Sequence, residues 1–136
     1  MQEADYERYL RAFNGRDYDA LVAFFTEDVT LEVNGEAMRG RQGIRDFYAM
    51  FHELVRETVT LRNFYPDDRA AMANVMIRFE GIGDLTQQML DERGYGTMTP
   101  VPKGADFEIE FFIRYIQNDE GLIERIKCAV FEPLTA

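Results

Sequence analysis

Residues 24–35, FFTEDVTLEVNG, decide the fold. They read as the end of a helix running straight into a strand. Val29, Leu31 and Val33 alternate with Thr30 and Glu32, a period of two that marks a half-buried strand. Upstream the period is helical. Tyr6, Tyr9, Leu10 and Phe13 make one apolar face, and Asn14-Gly15 offers a stop because both residues tolerate the left-handed cap conformation. Asp17 can then cap a second helix with Tyr18, Leu21, Val22 and Phe25 on its buried stripe. Downstream, a turn at Asn34-Gly35 leads to a third helix that presents Ile44, Phe47, Tyr48, Phe51 and Val55 on one face.

From Thr58 the period changes back to two. A strand over about Thr58–Tyr65 turns at Pro66-Asp67-Asp68. The next strand sets Ala71, Ala73, Val75, Ile77 and Phe79 against Met72, Asn74, Met76, Arg78 and Glu80. Residues Gly81–Gly104 are irregular, with one short helical turn expected near Thr86–Glu92. A loop of that length inside a compact domain suggests a gate or binding loop. In the strand ADFEIEFFIRYIQ, Phe107, Ile109, Phe111, Ile113 and Tyr115 share a face. A hairpin at Asn118–Gly121 returns through LIERIKCAVFEP, where Ile126, Cys128 and Val130 face the same side. Helices followed by a curved antiparallel sheet make an α+β cone, with the helices closing its concave face. No linker or repeat divides residues 1–136.

With 25 acidic against 15 basic residues, the net charge is −10, which repels phosphate and disfavours nucleic acid and anionic membranes as partners. One cysteine, Cys128, allows no intrachain disulfide and no thiolate cluster. The charged amino-terminal helix is unlike a secretion signal. The longest apolar run, Ala20–Phe25, is far short of the ~20 residues of a membrane helix. A soluble, cytoplasmic protein with no metal or cofactor is expected.

The words YLRAFNGRDYDALVAFFTEDVTLE, RGRQGIRDFY, VPKGADFEIEFFIRY and DEGLIERI resemble, in order and spacing, the nuclear transport factor 2-like superfamily. Ketosteroid isomerases and SnoaL-like polyketide cyclases are among its members. The resemblance implies the cone fold and an apolar pocket. It places an oxyanion-binding tyrosine on Tyr9 and a supporting tyrosine on Tyr48, with a second supporting tyrosine position on Phe25. It also places the catalytic base on Val33 and a second oxyanion acid on Phe111. Both carboxyl stations are therefore apolar, and neither valine nor phenylalanine can hold a proton. Isomerisation by the family's familiar route is not expected.

Tyr9 and Tyr48 remain the candidate catalytic pair, because a buried phenol needs a partner; they either orient a ligand oxygen or satisfy each other in the core. Phe13, Phe25, Val33, Phe51, Phe111, Ile113, Ile126 and Val130 complete the expected ligand-binding wall. Other polar residues rank lower. His52 flanks the third helix's apolar stripe and reads as partly exposed, without an evident acid partner. Cys128 reads as inert packing, Asp28 as a turn or cap beside Glu27, and Glu32 and Asn34 as rim groups. Arg78 and Glu80 face outward by parity. Met72, Met76, Phe112 and Ile116 form an outward apolar patch that suits a homodimer. Three functions stay open: a binder of a small hydrophobic, carbonyl-bearing molecule; an isomerase, cyclase or dehydratase using Tyr9 and an unidentified base; and a dimeric scaffold with a filled cavity.

Overall fold

The computed structural model describes residues 1–132. The order is α1 (Glu3–Asn14), α2 (Tyr18–Val22), β1 (Phe25–Val33), β2 (Glu36–Arg39), α3 (Gly40–Leu54), β3 (Val55–Asp67), β4 (Ala70–Gly81), α4 (Gln87–Arg93), β5 (Asp106–Gln117) and β6 (Ile123–Val130). One six-stranded sheet runs β2-β1-β6-β5-β4-β3. All neighbours are antiparallel except β1 and β6. Tyr6, Tyr9, Leu10 and Phe13 of α1, and Ile44, Phe47 and Phe51 of α3, are buried in the same core as the sheet's inner residues. The result is the α+β cone.

Four boundaries differ from the sequence reading, each for a local reason. Helix α2 ends at Val22, so Phe24-Phe25 is already outside it; Phe25 opens β1 and is fully buried. Glu27 and Asp28 lie within β1, exposed, rather than capping a helix. Asn34 and Gly35 both have positive φ, +52° and +77°, and this tight turn folds back a short strand, β2, that the sequence reading missed. Val55 belongs to β3 rather than α3: its φ of −133° and ψ of 129° are extended. Its burial is common to both readings, which is why the helical stripe seemed to continue.

That last shift sets the phase of β3. Val55, Glu57 and Val59 point into the cone while Arg56, Thr58 and Thr60 are exposed. A register shift between Leu61 and Asn63 leaves Arg62 unpaired and restores Phe64 to the inner side, where it stacks on Tyr6 at 5.3 Å. Strand β3 lies at the sheet edge, and the end of α1 covers it. The Asn14 amide donates to the Val59 carbonyl at 3.0 Å and accepts from the Val59 N–H at 2.9 Å. Arg16 donates to the Glu57 carbonyl at 2.7 Å. Such side chains do for an edge what a neighbouring strand would do.

The stretch from Gly81 to Gly104 is more ordered than a bare loop. Thr86 caps α4, and Leu85 pairs with Val101. Leu85, Leu90 and Val101 are buried. Its base is tied where Gly81 donates to the Ala105 carbonyl and accepts from Gly104, both at 2.8 Å. A side chain on Gly81 would meet the Pro102 carbonyl oxygen, so the position requires glycine. No described helix is long and apolar enough to cross a membrane.

Candidate functional site

Between α1, α3 and the inner face of the sheet lies a cavity of about 150 Å³. The apolar pattern of the strands makes its wall: Leu31 and Val33 from β1, Ile77 and Phe79 from β4, Phe107 through Ile113 at alternate positions of β5, and Ile126 and Val130 from β6. Met98, Thr99 and Val101 contribute from the irregular stretch. Tyr9, Phe13, Val33, Tyr48, Phe51, Phe111, Ile113, Ile126 and Val130 all line this space. Phe25 does not. It is fully buried behind Tyr9, with ring centroids 6.1 Å apart, and its carbonyl accepts from Arg41 at 3.0 Å.

Two tyrosines of the cavity satisfy each other, but they are not the expected pair. The Tyr6 and Tyr115 hydroxyls share a hydrogen bond of 2.8 Å. Tyr9 is packed among the same rings, 5.6 Å from Tyr6 and 5.4 Å from Tyr115. Among the described residues, the one fully enclosed side-chain polar atom without a partner is Thr26 Oγ1. Tyr48 lines the cavity with no hydrogen bond to its hydroxyl, whereas the Tyr9 hydroxyl has the Tyr115 hydroxyl beside it. Burial holds both phenols neutral far above their ordinary range. For Tyr9 the neighbouring Tyr6 and Cys128 add to that rise, and the Tyr115 hydroxyl offsets part of it.

A polar group that the sequence reading missed stands beside them. Glu57 is buried and lines the cavity from β3. Its Oε1 lies 2.9 Å from His52 Nε2, and His52 Nδ1 lies 2.8 Å from the Tyr18 hydroxyl. The expectation of a partly exposed, unpartnered histidine is thus corrected: the His52 side chain is only 4% exposed. Spacing explains it. His52 is four residues beyond Tyr48 on α3, and the two rings stack at 5.1 Å. Tyr18 lies nearly parallel to the ring at its Nδ1 edge, centroids 6.0 Å apart, and Phe13 stands at right angles to it at 5.6 Å. With a neutral ring and Glu57 as a carboxylate, Nε2–H donates to Glu57 and Nδ1 accepts from the Tyr18 hydroxyl. Glu57 is also an interior acid that the sequence reading did not single out.

The remaining candidates divide between the two faces. Val33 and Phe111 are on the inner wall. Asn34 reaches the cavity, whereas Glu32 is turned outward and accepts from Arg125 at 2.9 Å. Arg78 also faces outward, paired with Asp106 at 2.7 Å. Cys128 lines the cavity, and burial pushes its thiol up to about 12. That thiol is a poor nucleophile near neutral pH.

Comparison with known proteins agrees with the fold. The sequence profile described as a SnoaL-like domain matches residues 6–126. A proposed polyketide cyclase from Silicibacter sp. TM1040 superposes with a TM-score of 0.76 at 22% identity, over 95% of this chain and 88% of that one. A second proposed polyketide cyclase, from Xanthomonas campestris pv. campestris, gives 0.72 at 22% identity, over 90% and 84%. A Mycobacterium tuberculosis protein solved in complex with estradiol-17beta-hemisuccinate gives 0.67 at 17% identity, over 90% and 88%. At these identities the structural matches carry the fold.

Proposed function

The chain belongs to the SnoaL-like domain family, and from that membership we propose that it binds a small hydrophobic molecule bearing one carbonyl or hydroxyl. The carrying observation is the Tyr48 hydroxyl, which has no hydrogen-bond partner in the wall of an apolar cavity that the Tyr9 phenol also lines. An interior oxygen with no partner costs free energy until something supplies the missing bond. A ligand oxygen would do so, and the aromatic and aliphatic wall would take the rest of the molecule. About 150 Å³ suits a single ring. The steroid ester held by the Mycobacterium tuberculosis protein belongs to the same broad class of cyclic, oxygen-bearing hydrophobes.

Cyclohexanone and methylcyclohexane test the reading, because they share a ring size and differ in the carbonyl. In a titration followed by NMR, cyclohexanone should bind more tightly by roughly fivefold to tenfold, about one hydrogen bond. Tyr9→Phe with Tyr48→Phe should erase the difference. Equal affinity for both compounds, or no binding of either, would defeat it.

The outer sheet face completes the proposal. Phe112 is 36% exposed and meets Phe131 at 6.2 Å, beside the partly buried Met72, Met76 and Ile116. This patch supports pairing with a second copy of the chain. Light scattering should give twice the chain mass, and Phe112→Glu should return the monomer; a monomeric wild type removes this part.

A further inference from the structure

The cavity wall holds an acid with no basic residue to match it. Among the described residues that line it, Glu57 is the single aspartate or glutamate, and lysine and arginine are absent. We propose that the molecule bound here is a small cyclic amine in its ammonium form, with Glu57 as its counter-ion. The inference rests on the binding reading and adds a chemical class to it: a basic nitrogen besides the carbonyl or hydroxyl oxygen.

The charge on Glu57 is left open by the protein. The residue is 7% exposed, and its Oε1 is held by His52 Nε2 at 2.9 Å. Its Oε2 makes no hydrogen bond to the protein, yet it is not among the sealed atoms that lack one. On a residue of the cavity wall, that oxygen is open to a ligand. A neutral imidazole satisfies Oε1 but cancels no charge. Arg16 is the nearest strong cation along the edge, and it does not serve either. Its guanidinium donates to the main-chain carbonyls of Phe13 and Glu57, at 3.1 and 2.7 Å, rather than to the carboxylate.

Charge and wall both favour an ammonium over a neutral donor. A hydroxyl could satisfy Oε2 but would leave the negative charge uncompensated. An ammonium N–H would make a charge-assisted bond, roughly twice as strong as a neutral one. Folding has already stripped most water from Glu57, so binding adds only the desolvation of the ligand. Aromatic rings offset part of that cost, because their faces attract cations. Tyr48 lines the cavity with Phe13 and Phe47 each 5.1 Å from it. Tyr48 also stacks on His52, which places its phenol at the same end of the cavity as Glu57. One end thus offers a hydroxyl to the ligand oxygen and a carboxylate to its nitrogen.

Three probes with the same ring carry the test: cyclohexylamine, protonated near neutral pH, cyclohexanone, and cyclohexanecarboxylate, an anion. In titrations followed by NMR, the amine should bind roughly tenfold more tightly than the ketone, and the carboxylate should not bind measurably. The amine should also displace bound cyclohexanone, which attraction to the acidic surface would not achieve. Glu57→Gln keeps an oxygen for His52 and should lower the ratio of amine to ketone affinity at least tenfold. An amine that binds no better than the ketone, an amine that binds without displacing it, a carboxylate that binds as tightly, or an unchanged ratio in the variant would each overturn the assignment. The first three are read on wild-type protein, so the test stands even if the variant does not fold. Cyclohexanone bound without any preference for the amine defeats this inference alone. No saturable binding of any of the three defeats the binding reading, and this inference with it.

Discussion

Two glutamates of this protein each meet a cationic or potentially cationic partner at 2.9 Å, and they could hardly differ more. Glu57 and His52 are inside the cone, their side chains 9% and 4% exposed; Glu32 and Arg125 are outside it, at 36% and 47%. Distance alone would rank the pairs equal. Burial separates them, because water that screens the outer pair is absent from the inner one. The outer glutamate can lose its partner and be solvated. The inner one has the cavity, the aromatic rings and nothing else.

The comparison predicts its largest effect from His52→Ala. Removing one member of a buried pair leaves the other uncompensated, so urea unfolding should show a loss of about 3–5 kcal/mol. Adding Glu57→Gln should recover part of it, because the orphaned acid then becomes a neutral amide. A loss below about 1 kcal/mol, in the range of exposed pairs, would mean that water reaches Glu57 and that the inner and outer pairs are alike.

Why was the cone legible in the sequence and the inner pair not? The cone itself was readable: the alternation of Val29, Leu31 and Val33, and the shared face from Phe107 to Tyr115, fix which side chains point inward. The same rule would have exposed Glu57. VRETVTL alternates Val55, Glu57, Val59 and Leu61 against Arg56, Thr58 and Thr60, but a strand starting at Thr58 leaves Glu57 outside the pattern. Val55 continues the α3 stripe and also opens β3, so its hydrophobicity cannot mark the boundary. His52 was hidden differently. Its burial depends on Tyr18 arriving from α2, a contact between distant segments that no local periodicity encodes. Phe25 erred the opposite way, as an apolar residue assigned to the wall that packs behind it.

A smaller effect belongs to the buried thiol and phenols of the cavity wall. Burial raises the Cys128 thiol from 9.0 to about 12, with the nearby Glu57 adding to the rise. Between those values the unfolded chain has released the proton and the native protein still holds it. The unfolded state therefore binds fewer protons, and stability must fall as pH rises, by up to about 1.4 kcal/mol per pH unit for this one group. The buried phenols of Tyr9, Tyr48 and Tyr115, raised chiefly by the same burial, extend the decline at higher pH. Unfolding measured from pH 8 to 10 should show the slope in wild-type protein and a shallower one in Cys128→Ala. Parallel curves would show that the thiol ionises alike in both states and that the cavity wall is wet.

The smallest effect should come from the outer pair. Arg125 is exposed and spans from β6 to Glu32 on β1, whose residues pair in parallel register there. Its guanidinium donates two hydrogen bonds to the same oxygen of Glu32, at 2.9 and 3.2 Å, so the geometry is not the two-oxygen fork that makes such pairs strong. Arg125→Ala should cost between about 0 and 1 kcal/mol. Half-molar salt should shrink that difference further, because the screening length then falls well below ~8 Å, while the His52→Ala loss should hardly move. Equal salt sensitivity in the two variants would remove the distinction between inside and outside.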